Sequence, residues 1–573
     1  MNTSEFISRY LEKKIKKTFL VTGGGMMFLT DALNKSKIKL FFNHHEQASI
    51  FATDAYARSS GKIQVCFATS GPGITNCVTG IQSAWQDSTP IVIIAGQSKS
   101  KETIQFSKIK NLRQSGTFES NAIEILKPIT KFSKQVTNAN SIKYYLDKAF
   151  YLAEEGRPGP VYLEIPLDVQ SSKINLLKIK SYKPKKINYK KIDILKIEKK
   201  INKSKRPLLL LGNGLNVAKL EPKIKKLVNK LKIPLVTTQF AKSIISYDNQ
   251  YFIGHTGPKG DRAGNLAIQN TDLLIILGSS LHSQTIGWEH ERFSQNSYKI
   301  QIDPDPSTLK KNKMVDWKIK NNLKTAVSNF SKIKVHNKYS IWKKQCLDWK
   351  VKYQVILEPH KRSKKRLNYY DIVDHISKLI PKKSTIISDA GAAYYIMGQC
   401  FRIKENQKYI IPGSHGQMGY AIPASSGVAA NRNKNIYCVT GDGSLMTNLH
   451  ELTNIKNKNF NIKIFIINNN GYMSIRNSQK EFFGGKNYGT DKETGLMIPK
   501  IKKIANFFKI KYYKCETKKE LTNNFKNENK RKSPAIFDCF AMADHEIIPS
   551  IKSKLIKNKL VAQPLDNMYP YLK

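Results

Sequence analysis

The chain of 573 residues is poor in cysteine, in acidic residues and in long apolar runs, and each shortage excludes something. Its seven cysteines, at 66, 77, 346, 400, 438, 515 and 539, form no CxxC pair and keep no regular spacing. That argues against a disulfide framework and a cysteine zinc site, and it favours a reducing compartment. No stretch of about 18 uncharged apolar residues occurs, so no membrane span is expected. The N-terminal MNTSEFISRYLEKKIKKTF has no long apolar core behind its charges and does not read as a secretory signal, which leaves the cytoplasm as the default location. Asp and Glu number 43 against 96 Lys and Arg, a net charge of +53. Such an excess suits a polyanion partner. Here, however, it is mostly Lys, spread over the whole chain together with Asn and Ile, the residues that AT-rich codons supply. No RNP motif, zinc finger or basic zipper accompanies it. We read it as a solvated surface with no nucleic-acid role and keep a polyanion-binding protein as the non-enzyme alternative.

Hydrophobic residues make up 40% of the chain, enough for several folded cores, and a domain size of roughly 100–200 residues gives about three to five domains. Residues 1–172 read as the first α/β domain. Gln64–Thr69 is strand-like, Ser70-Gly71-Pro72-Gly73 a turn, Thr75–Gln86 a helix and PIVIIA at 90–95 a buried strand, which together make a βαβ unit and mark a parallel sheet. A basic linker at 173–206 holds a marginal helix. The middle domain, 207–330, carries LLLLGNG, IPLVTT and DLLIILGSS. A polar linker follows at 331–368, a third α/β domain at 369–550 and a tail at 551–573. The expected fold is three doubly wound parallel-sheet domains.

The chemistry concentrates in the third domain. The strand Ile436–Thr440 runs into Gly441-Asp442-Gly443-Ser444, after which Leu445, Leu449, Leu452 and Ile455 are spaced for one helix face. A second strand, Ile462–Ile467, ends in Asn468-Asn469-Asn470-Gly471. In a βαβ unit both motifs lie at carboxyl ends of strands, the edge where open α/β sheets bind ligands. One carboxylate, one amide oxygen and a main-chain carbonyl are hard ligands that leave an octahedron open for phosphate and water, as Mg²⁺ prefers. Gly443 and Ser444 open a helix whose free N–H groups suit phosphate. Asp-Gly and Asn-Gly are also ordinary turn residues; it is their succession at two strand ends that favours a site for Mg²⁺ and a diphosphate.

GDGS followed by NN at this spacing resembles the thiamine diphosphate motif. HEQASIFATDAYAR (45–58), ATSGPGITN (68–76), GRPGPVYLEIPLDV (156–169) and GSHGQMGYAIPASSG (413–427) resemble, in order, stretches of the acetolactate synthase group of thiamine diphosphate enzymes. The resemblance implies that the three domains are pyrimidine-binding, middle and diphosphate-binding. It implies that Glu46 is the catalytic acid that hydrogen-bonds the aminopyrimidine ring, making the exocyclic nitrogen basic enough to take the thiazolium C2 proton. Pro72 and Asn76 line the pyrimidine, Gly416 and Met418 hold it, Gly391 and Ala392 contact the diphosphate, and Asp442, Asn469 and the Gly471 carbonyl hold the metal. It also admits FAD in the middle domain, with Arg157 as its contact, although Gly-Asn-Gly at 212–214 is a weak signal by itself. Since Glu46 of such enzymes reaches a cofactor bound by another subunit, a homodimer or homotetramer is implied, and a small regulatory subunit is compatible.

The group divides by what receives the two-carbon unit once CO₂ has left a 2-oxo acid such as pyruvate. Near the acceptor this chain departs from the synthases. Phe118 stands where a Gln is expected, and Ser478 where a Trp is expected. YMSIRNSQKEFFGG (472–485) is more similar to synthase-related proteins of surface-sugar pathways, and Arg476 reads either as facing an anionic acceptor or as an ordinary exposed arginine. Acetolactate formation is the leading expectation. Transfer to a keto sugar and simple 2-oxo acid decarboxylation are the alternatives. His44, His45 and His415 sit in or beside these motifs and read as structural, with no partner in the sequence to tune them.

Overall fold

A computed structural model describes residues 1–185, 187–336, 338–556 and 559–572. Its strands form three six-stranded parallel sheets. The first contains β1 (Lys17–Leu20), β2 (Lys39–Phe42), β3 (Gln64–Ala68), β4 (Ile91–Gln97), β5 (Ser133–Gln135) and β6 (Val161–Pro166), in the order β2-β1-β3-β4-β6-β5. The second contains β7 (Pro207–Leu211), β8 (Leu235–Thr237), β9 (Phe252–His255), β10 (Leu273–Leu277), β11 (Tyr298–Asp303) and β12 (Trp317–Lys320), in the order β12-β11-β10-β7-β8-β9. The third contains β13 (Thr385–Ser388), β14 (Lys408–Ile410), β15 (Ile436–Gly441), β16 (Ile462–Asn468), β17 (Lys511–Cys515) and β18 (Ala535–Phe540), in the order β14-β13-β15-β16-β18-β17. The first and third sheets therefore share one winding, and the middle sheet has that of dinucleotide folds. Helices cover both faces, which is why β3, β4 and β10 are buried along their whole length and read as unbroken apolar runs. A hairpin, β19 (Ser553–Ile556) and β20 (Lys559–Ala562), ends the order of strands.

The residues pack as two compact units. One comprises Met1–Ile187, Pro412–Ile436 and Thr447–Ile462; the other comprises Asn188–Ile411, Tyr437–Met446 and Lys463–Lys573. In the first, the helix Glu46–Ser60 packs on the helix Ala421–Asn431, which is nearly all small residues. The two approach so closely that a Cβ on Gly427 would lie 2.1 Å from the Ala52 carbonyl oxygen. In the second, segments that read as linkers and tail supply core. Ile197 and Ile201 of the helix Ile194–Lys203 pack with Leu209 and Ile275. Trp342 and Cys346 of the helix Ser340–Lys352, with Ile551, Ala562, Leu565 and Met568, pack with Leu208 and Ile276. Residues 557 and 558 of the basic run at 551–560 lie outside the described residues. The seven cysteines are free and buried, and among the described residues no helix is long and apolar enough to cross a membrane.

A buried acid shows how this fold couples to pH. Glu164, on β6 and 1% exposed, accepts hydrogen bonds from Tyr162 Oη (2.7 Å), Gln97 Nε2 (3.1 Å) and Gln135 Nε2 (2.8 Å). Burial outweighs these three donors and pushes its pKa up to about 7. A carboxyl whose pKa rises on folding favours the fold most below its ordinary range, and that contribution is lost as pH rises through about 7. Glu164→Gln should remove this decline. Thermal midpoints of the variant should fall less between pH 5 and pH 8 than those of the parent, and parallel curves would refute the assignment.

Candidate active site

The residues that the resemblance assigns to the pyrimidine lie within the first unit. After β2 the chain turns at Asn43–His45 into the helix Glu46–Ser60, whose first N–H groups are capped by His45 Nδ1, accepting from Gln47 N at 3.1 Å. The entry is fixed by Glu451, fully buried, which accepts from Asn43 Nδ2 (2.8 Å), His44 N (2.8 Å) and Asn454 Nδ2 (2.9 Å). Glu46 is thus the first residue of a helix and is half-buried. Its Oε2 accepts from Asn76 Nδ2 at 3.0 Å. The turn after β3 supplies the opposite wall. Gly71, at φ 58°, lets the chain reverse beside the Phe118 carbonyl, Pro72 opens the short helix Pro72–Thr75, and an added Cβ on Gly73 would sit 3.7 Å from Glu46 Oε1. Three of the residues assigned here from sequence, Glu46, Pro72 and Asn76, therefore come together.

Gly416 and Met418 lie in the same unit, on a loop that three polar contacts fasten. Asp87 Oδ1 accepts from Ser414 N (2.8 Å), Gln417 Nε2 donates to Ser83 Oγ (2.8 Å), and Tyr420 Oη donates to Asp54 Oδ2 (2.6 Å). Gly413, at φ 55°, presses on the Asp87 carboxylate so closely that its Cβ would lie 1.4 Å from Oδ2. Gly416, at φ 69°, is exposed with open space at its Cβ, Met418 is half-buried beside it, and His415 is exposed. Sequence reasoning missed Asp54, Asp87 and Glu451. Their signal was scarcity, since a carboxylate inside an apolar helix of so basic a chain needs a reason.

The residues that the resemblance assigns to the diphosphate and the metal lie within the second unit, at the carboxyl ends of β13, β15 and β16. Asp389, fully buried, accepts from Thr440 Oγ1 at 2.9 Å and ties the β13 turn to β15. Gly391 follows at φ 66°, and Ala392 opens the helix Ala392–Cys400; a Cβ on Gly391 would lie 3.3 Å from Ser474 Oγ. Asp442 begins the helix Asp442–Thr447, which also contains the buried Gly443 and Ser444. The Tyr472 ring packs so close that a Cβ on Gly443 would meet it at 2.3 Å. Asp442 Oδ1 accepts from Gly443 N (2.9 Å) and Oδ2 from Gly471 N (3.0 Å). Burial nevertheless raises its pKa to about 6, against these N–H groups and the nearby Arg476 charge.

The Asn469 amide carries the metal argument. It is buried, and with its Nδ2 turned inward it donates to the Gly471 carbonyl and to Asp442 Oδ1, both at 3.1 Å. Turned the other way, the amide would bring its oxygen beside that carbonyl and carboxylate, an arrangement that a cation among the three would stabilise. Carboxylate, amide and carbonyl oxygens are the hard donors that Mg²⁺ takes. Among the described residues no group of three or more His, Cys, Asp or Glu offers a softer or more anionic site. The residues present fit Mg²⁺.

Four further residues singled out in the sequence have the following surroundings. Arg476 is buried, 7% exposed, and its guanidinium is spent on main-chain carbonyls. Ser478 is on the exposed face of the helix Met473–Phe482 and donates to Ser474 O. Phe118 is 73% exposed at φ 53°, a conformation costly for a bulky residue. Arg157 donates to Ser88 Oγ (2.8 Å) and to the Gln86 carbonyl (2.9 Å), at the end of the helix Val78–Asp87.

Comparison with known proteins agrees with this construction. Three family models match: the N-terminal TPP binding domain of thiamine pyrophosphate enzymes over residues 1–117, the central domain over 194–330 and the C-terminal TPP binding domain over 389–539. The acetolactate synthase large subunit of Cyanidium caldarium is 30% identical over 570 residues, 95% of this chain and 94% of that one. A probable acetolactate synthase large subunit of Methanococcus aeolicus is 30% identical, with 94% and 92% covered, and the Lactococcus lactis large subunit is 27% identical, with 96% and 94% covered. With all three domains matched and likeness along nearly its whole length, the chain belongs to the thiamine diphosphate-dependent enzymes of the acetolactate synthase-like family.

Proposed function

We propose that this enzyme removes CO₂ from pyruvate and joins the remaining two-carbon unit to the carbonyl of a second molecule, acetolactate being the product when that molecule is also pyruvate. Bound thiamine diphosphate supplies the electron sink for the loss of CO₂ and the carbon nucleophile that is passed on. The single observation that carries the reading is the placing of the Asp442 carboxylate, the Asn469 amide and the Gly471 carbonyl side by side at the buried ends of β15 and β16, hard donors of the kind that would suit Mg²⁺. Those three groups would hold Mg²⁺, and Gly391, Ala392, Gly443 and Ser444 would face the diphosphate. On the other unit, Asn76 occupies Oε2 of Glu46, which leaves Oε1 to carry a proton to a ring nitrogen. Gly416 and Met418 would hold the ring. The chain acts at least as a homodimer, with a small regulatory subunit as a compatible partner.

A second reading rests on Arg476. Its Nη1 and Nη2 are turned to main-chain carbonyls, and neither Phe118 nor Ser478 supplies a cation for an acceptor carboxylate. This favours a neutral acceptor such as a keto sugar. FAD needs no step in either reading, because carboligation moves no net electrons. At the end of β7, moreover, Gly214 N already donates to Gly278 O at 2.9 Å, and Arg157 is engaged by Ser88 and Gln86. FAD, if it binds, plays a structural part.

Product analysis by NMR tests these readings. Protein would be given pyruvate, Mg²⁺ and thiamine diphosphate, with and without FAD. Acetolactate is the expected product. Acetaldehyde alone would move the acceptor to a keto sugar, to be sought by adding such sugars with pyruvate, and no consumption of pyruvate would overturn the donor.

A further inference from the structure

Arg476 is a buried cation without a partner carboxylate at hydrogen-bond distance; Asp491 is the nearest, at 3.7 Å. Its donors go to main-chain oxygens: Nη1 to Asn470 O (2.8 Å) and Thr490 O (3.3 Å), Nη2 to Asn469 O (2.8 Å) and Ala543 O (2.8 Å). Two of these carbonyls belong to the turn that carries the oxygen-lined pocket. The turn is tight, with Asn470 at φ 57° and Gly471 at φ 108°, and a Cβ on Gly471 would strike Thr490 O at 2.0 Å.

A trans peptide points its C=O and N–H in opposite directions. Drawing the Asn470 carbonyl toward Arg476 therefore turns the Gly471 N–H the other way, where it meets Asp442 Oδ2 at 3.0 Å. Drawing the Asn469 carbonyl the same way turns the Asn470 N–H likewise, and that group also bonds the Asp442 carboxylate. Of three successive carbonyls in the turn, Arg476 takes two. The third, that of Gly471, lies 3.1 Å from the Asn469 amide, which is also 3.1 Å from Asp442 Oδ1.

Resting on the proposed Mg²⁺ site, we infer that Arg476 is a positioning residue that selects the Gly471 carbonyl as metal ligand and aims Asp442 through the peptide groups of residues 469–471. It touches neither cation nor substrate. Its fork of fixed donors is what binds two neighbouring carbonyls at once, and a lysine cannot reproduce that geometry. Because the turn then presents few ligands rigidly, it suits the small octahedral Mg²⁺ better than Ca²⁺, which takes more ligands in looser arrangements.

The test is cation binding by the full-length protein with thiamine diphosphate, measured calorimetrically with Mg²⁺ and separately with Ca²⁺. Variants are Arg476→Gln and Arg476→Lys, with folding checked by near-UV circular dichroism of the apo forms. Both should lose about 10–100-fold in Mg²⁺ affinity, the range for groups that orient ligands, and Ca²⁺ affinity should fall less. Unchanged Mg²⁺ affinity in a folded variant would overturn the inference, as would an equal loss for both cations. Should Arg476→Gln fail to fold, Arg476→Lys decides; if neither folds, the arginine serves the fold and the inference is wrong. A parent protein that binds neither Mg²⁺ nor thiamine diphosphate would instead sink the reading of the site.

Discussion

Glu46→Gln should lower kcat for pyruvate consumption by about 10²–10⁴, the range of a positioned proton donor, while thiamine diphosphate still binds. The amide keeps the size of the carboxylate and can still accept from Asn76 Nδ2, which now bonds Oε2 at 3.0 Å, so the local frame at the start of the helix survives. What is lost is an oxygen able to give up a proton. The step before substrate enters should suffer equally. Exchange of the cofactor C2 proton into D₂O, followed by NMR on quenched samples, should slow by a similar factor in the variant. Wild-type exchange combined with slow turnover would move Glu46 to a later step, and wild-type values of both would remove it from the chemistry. The same variant separates a cofactor-binding role from a catalytic one, since a residue that merely held the ring would raise the cofactor Kd and leave kcat at saturation unchanged.

Much of this architecture was legible in the sequence because parallel sheets are written in unbroken apolar runs. PIVIIA and LLIIL each became a wholly buried strand. GDGS and NN fell at neighbouring carboxyl ends, since β15 and β16 are adjacent in the sheet. Where side chains respond to distant partners the reading changes. Leu445, Leu449, Leu452 and Ile455 suggest one helix, but the chain forms a helix at Asp442–Thr447, a 3-10 turn at Leu449–Glu451 and a second helix at Leu452–Asn457. The break is at Asn448, whose amide donates to Gly419 O and Gln47 Oε1 instead of riding on a helix surface. Periodicity records which face is apolar and is silent about such a bond. The three-fold repetition of α/β segments was visible, whereas the shared winding of the first and third sheets was not, because strand order is set by the packing of crossovers.

Arg476 illustrates the same limit at the site. An arginine next to a motif invites an anionic ligand, and nothing in the spacing says that it turns inward. One signal was available. Arg476 lies in the first turns of the helix Met473–Phe482, where the helix dipole disfavours a cation, so its position asked for a compensating set of acceptors. The carbonyls of Asn469, Asn470, Thr490 and Ala543 are that set.

Asp442→Ala should uncouple Mg²⁺ from the diphosphate by weakening both together. In the parent, each ligand alone should raise the thermal midpoint little, and the two added together should raise it strongly, because Asp442, Asn469 and Gly471 would hold the cation and the cation would help to hold the diphosphate. At a concentration 100 times its Kd, a ligand that binds only the folded state stabilises it by about 2.7 kcal/mol, a shift of several degrees even in a large domain. The variant should show no joint shift under the same conditions. Its apo form should not be much less stable at pH 8, because the carboxylate removed is one that burial already opposes, its pKa having risen to about 6. The N–H groups of Gly443, Gly471 and Asn470 and a nearby guanidinium offset that burial in part, and a bound cation would offset it further. A joint shift that survives in Asp442→Ala would separate the metal from this carboxylate. A shift lost for Mg²⁺ but retained for thiamine diphosphate alone would show that the main-chain groups at Gly391 and Gly443 hold the diphosphate without a bridging ion.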